Sequence, residues 1–441
     1  MFRSAILAAM FLSMSLFAAT RDFERSDEVN RRLPLNELIN DELTKYDVDA
    51  TLRLCGRLHF TTIFINQDRK TDRIDAAVTS LKGDIYFKYL GKRDEYGYGF
   101  EMAIKANSGV IKQGNAVVRA SFIFLESDKM GTLRLGYTNT AADLFSICGD
   151  KCLVGYLGAG SGDLGAFYDK SAGSIVDTGF PQDDSRAAKI VWISPIISGI
   201  SAGLSFTLDS RDANLFRTRR HGMLHIHEKA NFFGLGAAYS KNLISGGIAY
   251  EFGAPDGLNA KISGAVWLGK GKSGFGDDIK ARNVRAHNIG AIVGYKKFKL
   301  SAGYTDNGKS LLAEKQAISE IAAFDDSRNY DLADPDVGLQ SGADAGKIYS
   351  LGISYSFDKL GVSAGYFKSI VKFSPREKSK ADVISLAAEY KFDQNLRIYL
   401  EYDHIATNSC DMARAYGKAC NLTTMGKIKA YLFMIGSKIN F

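Results

Sequence analysis

Beyond its N-terminus the chain has no run of eighteen apolar residues, and its mean hydropathy is only -0.11. That excludes crossing a membrane with helices, each of which needs about 20 consecutive apolar residues. Proline is scarce, 6 in 441 residues, and tryptophan scarcer, with 2. Charge is not blocked either: 56 Lys and Arg are interspersed with 49 Asp and Glu. The formal net charge of +7 therefore gathers into no basic stripe of the kind nucleic acid requires, and no nucleic-acid partner is expected. What is plentiful is 44 Gly, 21 Tyr and 27 Phe, which suits many strands joined by tight turns.

The first residues place Arg3 before an apolar run, Ala5 to Leu12, followed by small residues up to Ala19. This pattern predicts a signal peptide over 1–19, cut after Ala18 or Ala19, because the run is too short to span a bilayer. The mature chain then leaves the cytoplasm. Residues 20–49 are charged and lack strand periodicity, and "LNELINDEL" is helix-compatible. They are read as a periplasmic N-terminal segment, with a trimer contact or plain disorder as the alternatives. Of the 5 Cys, Cys148 and Cys152 are close neighbours, Cys410 and Cys420 bracket a short segment, and Cys55 stands alone. In an exported protein this spacing predicts two local disulfides and one spare thiol packed on an inner face.

The stretch "IKAYLFMIGSKINF" puts Tyr431, Phe433, Ile435, Ile439 and Phe441 on one side of an extended strand, with Gly436, Lys438 and Asn440 on the other. The alternation recurs. Leu52, Leu54, Leu58, Phe60 and Phe64 oppose Arg53, Arg57, His59 and Thr61; Ile85, Phe87 and Tyr89 oppose Lys82, Asp84, Tyr86 and Lys88. Phe100, Met102 and Ile104 oppose Glu101 and Lys105, and Leu396, Ile398, Leu400 and Tyr402 oppose Arg397, Tyr399, Glu401 and Asp403. Charged residues sit within these strands, so one face meets lipid and the other a water-filled lumen. The predicted fold is all-β, a transmembrane antiparallel β-barrel over 50–441.

Backbone groups in hydrocarbon must all be paired, so the sheet must close, with the last strand antiparallel to the first near 51–66. Short turns at 92–96, 127–130, 195–198, 357–359 and 392–395 alternate with long polar segments at 138–185, 210–230, 307–346 and 406–426. Short on one side and long on the other is the asymmetry of outer-membrane barrels. Counting every plausible strand gives about seventeen, where an even number is required. The doubtful segment is "NFFGLGAAYSK", 231–241, and omitting it leaves about 16 strands.

Several stretches carry a family resemblance: "LCGRLHF", "GDIYFKYLGKRDEYGYGFEMAIKANSG", "GTLRLGYTNT" and "AAKIVWISPIISGISAGLSF", together with the terminal Phe441. In this order they resemble the Gram-negative porins of alphaproteobacterial type. The resemblance implies a homotrimer in the cell outer membrane, passing small hydrophilic solutes and ions by diffusion, with outer-membrane lipids around it. It also implies that residues 138–185 fold into the barrel as a constriction loop. That loop offers carboxylates, among them Asp143, Asp150, Asp163, Asp169 and Asp177, with Asp183 and Asp184 at its end. The wall would face it with Arg53, Arg57, Arg119, Arg134 and Lys189, besides Lys82 and Lys105. Acid opposite base across a waist makes a field that sorts small solutes by charge. One departure is Tyr137, where many relatives place a pore-lining Arg, so the sign of selectivity is left open.

Other chemistries are weaker. His59 beside Thr61 lacks the serine and orienting partner of a hydrolytic pair. The loop bearing Arg217, Arg219, Arg220, His221, His225 and His227 is read as basic surface facing anionic lipid rather than a metal site. "DDSRNYDLADPDVG" lacks the glycine of a calcium loop, and "GKGKSGFG" has the wrong spacing for a phosphate loop. No catalytic residue, metal or cofactor is expected. The alternatives are a channel specific for a sugar or phosphate, and a structural or adhesive barrel with a plugged lumen.

Overall fold

In the computed structural model of the protein the described residues are 49–67, 77–109, 112–156, 187–210, 239–253, 257–272, 281–310, 344–372, 378–409 and 426–441. Sixteen strands form one closed antiparallel barrel in which each strand pairs with its sequence neighbours and the last with the first. They are β1 (Asp49–Gln67), β2 (Ala77–Arg93), β3 (Tyr96–Gly109), β4 (Lys112–Ser127), β5 (Gly131–Tyr137), β6 (Ala188–Ile193), β7 (Ile200–Asp209) and β8 (Tyr239–Gly253). The second half comprises β9 (Leu258–Lys272), β10 (Val284–Tyr295), β11 (Phe298–Asp306), β12 (Asp344–Phe357), β13 (Leu360–Lys372), β14 (Lys378–Lys391), β15 (Leu396–Ser409) and β16 (Gly426–Asn440). The doubtful segment resolves in favour of an even count: β8 begins at Tyr239, and 231–238 lie outside the described residues.

Closure follows the expected register, with Thr61 opposite Gly436 and Phe64 opposite Phe433. Phe441 exchanges backbone hydrogen bonds with Gly56 at 2.8 and 3.0 Å, and its ring occupies the space a Gly56 side chain would need. Short connections gather at one end of the barrel, where Asp94, Lys296 and Asp358 take positive φ of 55°, 52° and 36°. The Lys297 ammonium reaches Asp358 at 2.9 Å across neighbouring turns there. In the turn before β15, Asp393 accepts from the backbone N–H groups of Asn395 and Leu396 at 2.6 and 2.7 Å, which lowers its pKa.

Two-residue alternation sorts the side chains. Outward lie Leu54, Ile123, Ile190, Leu204, Ile248, Ile262, Ile289, Leu351 and Leu386, all exposed. A continuous apolar surface of this extent is stable only against hydrocarbon or another apolar surface. Aromatic rings mark its edges: Tyr250 with Phe252, Tyr355 with Phe357 and Tyr390 with Phe392 at the short-turn end, Tyr304 with Tyr349 and His404 with Tyr431 at the other. Paired girdles of this kind belong to transmembrane barrels.

The inner face is less wet than alternation alone implies. On β16 the inward residues Ala430, Leu432 and Met434 are fully buried, and only the stretch from Gly436 onward is polar. They pack with Ile63, Val78, Phe367, Val383, Tyr399 and Ile405 in one cluster inside the barrel. A second inner cluster holds Phe145, Leu243, Trp267 and Val284. Part of the inner face is therefore covered by protein: period two reports which face a residue occupies, not what covers that face.

Candidate functional site

After β5 the chain turns into the lumen and follows the inner wall as a belt. Thr140 starts a single helical turn, α1 (Ala141–Phe145), its hydroxyl accepting from the Asp143 N–H at 3.2 Å. A 3₁₀ turn, Gly149–Cys152, follows. Two things let a polypeptide lie flat on a strand wall: room for its backbone, and partners for its N–H and C=O groups. Small inward residues supply both. Ser205 of β7 and Ser245 of β8 accept from the N–H groups of Ala141 and Ala142 at 3.0 and 3.3 Å, and Ser263 of β9 donates to the Phe145 carbonyl. Asn288 of β10 accepts from the Ile147 N–H at 3.2 Å. Ser350 of β12 accepts from Gly149 N–H at 2.8 Å, and Ser301 of β11 donates to the Gly149 carbonyl at 2.7 Å. Ser363 of β13 accepts from Val154 N–H at 3.1 Å.

Two residues along from most of these polar groups stands a glycine: Gly247, Gly290, Gly303, Gly352 and Gly365. A Cβ at Gly290 or Gly303 would run into the Ile147 carbonyl, and at Gly352 into the Gly149 carbonyl. Here glycine is required by close approach of two backbones. The result is a rail of Ser-x-Gly or Asn-x-Gly steps on successive strands. The sequence carried a signal for it, since "SGG", "NIG", "SAG", "SLG" and "SAG" recur at 245–247, 288–290, 301–303, 350–352 and 363–365. Alternation alone does not single these residues out, because it marks only the face they occupy.

At Gly155 and Tyr156 the belt meets a charged latch. Glu389 of β14 accepts from Gly155 N–H at 3.4 Å and Glu401 of β15 from Tyr156 N–H. Lys438 of β16 donates to the Gly155 carbonyl at 2.5 Å and to Glu389 at 3.0 Å, while Lys82 of β2 donates to the Tyr156 hydroxyl at 2.5 Å. Burial raises the Tyr156 phenol above its ordinary range, with Glu401 and Asp403 adding to the shift. His59 stands beside Tyr156, ring centroids 5.2 Å apart. The Tyr399 hydroxyl lies 2.6 Å from His59 Nε2 and 2.6 Å from Thr61 Oγ1. His59 and Thr61 thus belong to a packed cluster under the belt.

The described part of the belt has its middle on β11 and β12, and β2 to β5 stand across the lumen from it. Register puts Lys88 across from Glu101, Lys105 across from Asp84, and Arg134 across from Phe124, all facing inward. Lys88 Nζ sits 5.3 Å above the Phe124 ring, and the Arg134 guanidinium 5.3 Å above that of Phe122. Arg53 faces the lumen opposite Lys88, while Arg57 is tied to Asp84 on the adjacent strand at 2.5 Å. Lys189 is inward and buried. Arg119 lies at a register shift in β4, and its side chain is outside the described residues.

The expected carboxylates divide. Asp143, in α1, accepts from Asn139 at 2.5 Å, and Asp150, in the 3₁₀ turn, has its pKa raised by burial. Asp163, Asp169 and Asp177 lie outside the described residues, as do Cys410, Cys420 and the loop with His221, His225 and His227. The expected Cys148–Cys152 disulfide is corrected: the two cysteines are not bridged to each other. The 3₁₀ turn sends them to different strands, Cys148 Sγ accepting from Asn288 at 3.6 Å and Cys152 Sγ lying 3.0 Å from the Ser301 hydroxyl. Cys55, expected to be packed, is exposed. "GKGKSGFG" continues β9 as far as Lys272.

Comparison with known proteins agrees with this geometry. The family profile of Gram-negative porins matches residues 6–409. An uncharacterized Rickettsia bellii protein is 25% identical over 366 residues, covering 73% of this chain and 76% of its own. A Rickettsia prowazekii protein, also uncharacterized, is 23% identical over 62% of this chain and 61% of its own. Among solved structures, the anion-selective porin from Comamonas acidovorans aligns with a TM-score of 0.53 at 15% identity, covering 89% of this chain and all of that one (100%). Salmonella typhi OmpF, in complex with daunomycin, aligns at 0.54 and 13% identity, covering 88% and 97%.

Proposed function

Because the chain belongs to the Gram-negative porin family, we propose that it is a passive diffusion channel for small hydrophilic solutes and ions, narrowed by the internal belt. The barrel crosses the Gram-negative outer membrane many times, and family and fold point to a channel rather than an enzyme. The observation that supports diffusion is the path of the belt: among the described residues, its backbone is held against the wall from β7 round to β15 rather than laid across the barrel axis. Solutes then pass along the β2 to β5 side, where Lys88, Lys105 and Arg134 face the lumen together with Asp84, Glu101 and Glu126. Assembly as a homotrimer is part of the same proposal, and light scattering of the detergent-solubilised protein checks it.

Planar-bilayer recording tests the channel. Ohmic conductance in salt, with a reversal potential in a salt gradient that moves toward cation preference on Arg134→Glu, is the expected result. A purified, folded barrel that conducts nothing would leave only the plugged, adhesive reading. Saturable current block by one sugar or by phosphate would replace general diffusion with a specific channel.

A further inference from the structure

We propose that Phe122 and Phe124 of β4, which carry no charge, are positioning residues that set the open width of the passage by holding the side chains of Lys88 and Arg134 flat against its wall. The proposal rests on the diffusion reading above and adds the residues on which the size of an admitted solute depends.

Register alone would place these two cations elsewhere. Lys88 of β2 stands directly opposite Glu101 of β3, and Arg134 of β5 opposite Phe124. Neither keeps to the residue it faces. The Lys88 ammonium passes over β3 to lie 5.3 Å above the Phe124 ring, and the Arg134 guanidinium lies 5.3 Å above Phe122, two residues from the one it faces. Among the described residues neither cation enters an ion pair, although Glu101 and Glu126 face the same lumen. The cations thus arrive over β4 from opposite sides, onto rings whose centroids are 6.4 Å apart and whose planes differ by 56°.

Glycines make room for this arrangement. The residue facing Phe124 on β3 is Gly99, and the residue facing Phe122 on β5 is Gly136. A Cβ on Gly99 would lie 2.8 Å from the Phe124 ring, so the ring reclines over a strand position that has no side chain. That leaves the way open for the lysine from β2. Both rings are buried, and long cationic stems cover apolar surface of this kind while their charged heads stay in water. The attraction of a cation to a ring face biases the side chain toward that position by about two- to fivefold. Leucine offers similar apolar contact and no ring face, so a cation above it is free to stand out into the lumen.

Neutral solutes read width apart from charge. The full folded chain is reconstituted for planar-bilayer recording and for liposome swelling in a monosaccharide and a disaccharide. Phe122→Leu with Phe124→Leu trims the lining, yet the expected result is a lower conductance, more open-channel noise and a disaccharide-to-monosaccharide rate ratio reduced about twofold or more. Tyrosine at both positions is expected to keep the wild-type ratio. In a channel already carrying Lys88→Gln and Arg134→Gln, the same two leucines are expected to leave the ratio where it was, since the side chains they would release are gone. Should the double leucine variant give no heat-resistant barrel, Phe124→Leu is read against Lys88→Gln in its place. Faster disaccharide entry on trimming, with both cations present, means that the rings only occupy space and overturns the proposal. An equal loss with and without the cations does the same. A wild-type barrel that passes neither current nor sugar sinks the diffusion reading and this proposal together, whereas a conducting wild type that the leucines leave unaltered sinks this proposal alone.

Discussion

Thiols and carboxylates along the belt show how strongly one side chain's surroundings decide its chemistry. Burial pushes the Cys148 thiol up to about 12, so at neutral or mildly alkaline pH it is protonated and a poor nucleophile. Cys152 is raised by the same cause. Maleimide labelling of the folded barrel at pH 8, followed by peptide mapping, is expected to modify the exposed Cys55 and to spare Cys148 and Cys152 until the protein is unfolded. The peptide carrying the two buried thiols should have the same mass with and without reductant. Close spacing in an exported chain argues for a bridge, but spacing is silent about the direction in which each side chain leaves the backbone. A 3₁₀ turn facing two strands supplies that direction, and it separates the sulfurs.

The belt and the strands beneath it make one mechanical element. Replacing Gly352 by Leu puts carbon where the Gly149 carbonyl lies, so belt and wall cannot both keep their places. The expected outcome is a larger and noisier single-channel conductance, with the barrel's resistance to heat in dodecyl sulfate gels unchanged. Ser350→Ala is milder: it leaves the Gly149 N–H without its acceptor, a loss of about 1–3 kcal/mol for a buried amide, and should raise open-channel noise more than mean current. On the outer face of the same wall, Ile289 sits midway along β10 and is exposed. Ile289→Lys is expected to cost about 2–4 kcal/mol in a bilayer, read as a lower urea midpoint for unfolding from vesicles. Strand periodicity foretold which residues face outward. It did not foretell the belt, whose sequence 138–156 has no strong period and whose receptor is scattered over the strands from β7 to β16.

For the whole molecule the decisive event is closure of β16 on β1. Phe441 and Gly56 form the seam, the ring filling the space above the glycine. Gly56→Leu removes that space, and a lower yield of heat-resistant folded barrel, with correspondingly fewer channels per microgram in bilayers, is expected. The amino-acid sequence by itself determined the class of the fold, the strand directions, the antiparallel seam and the outward set of side chains. Those properties follow from alternation and from the rule that no backbone group goes unpaired in lipid, both of which act between near neighbours or on every residue alike. Tertiary structure alone decided what covers the inner face. Whether Leu432 meets water or Tyr399, and whether Cys148 meets Cys152 or Asn288, depend on a segment laid across strands as much as 283 residues away in the chain. Contacts of that range have no period to read, and only the closed barrel brings their partners within reach.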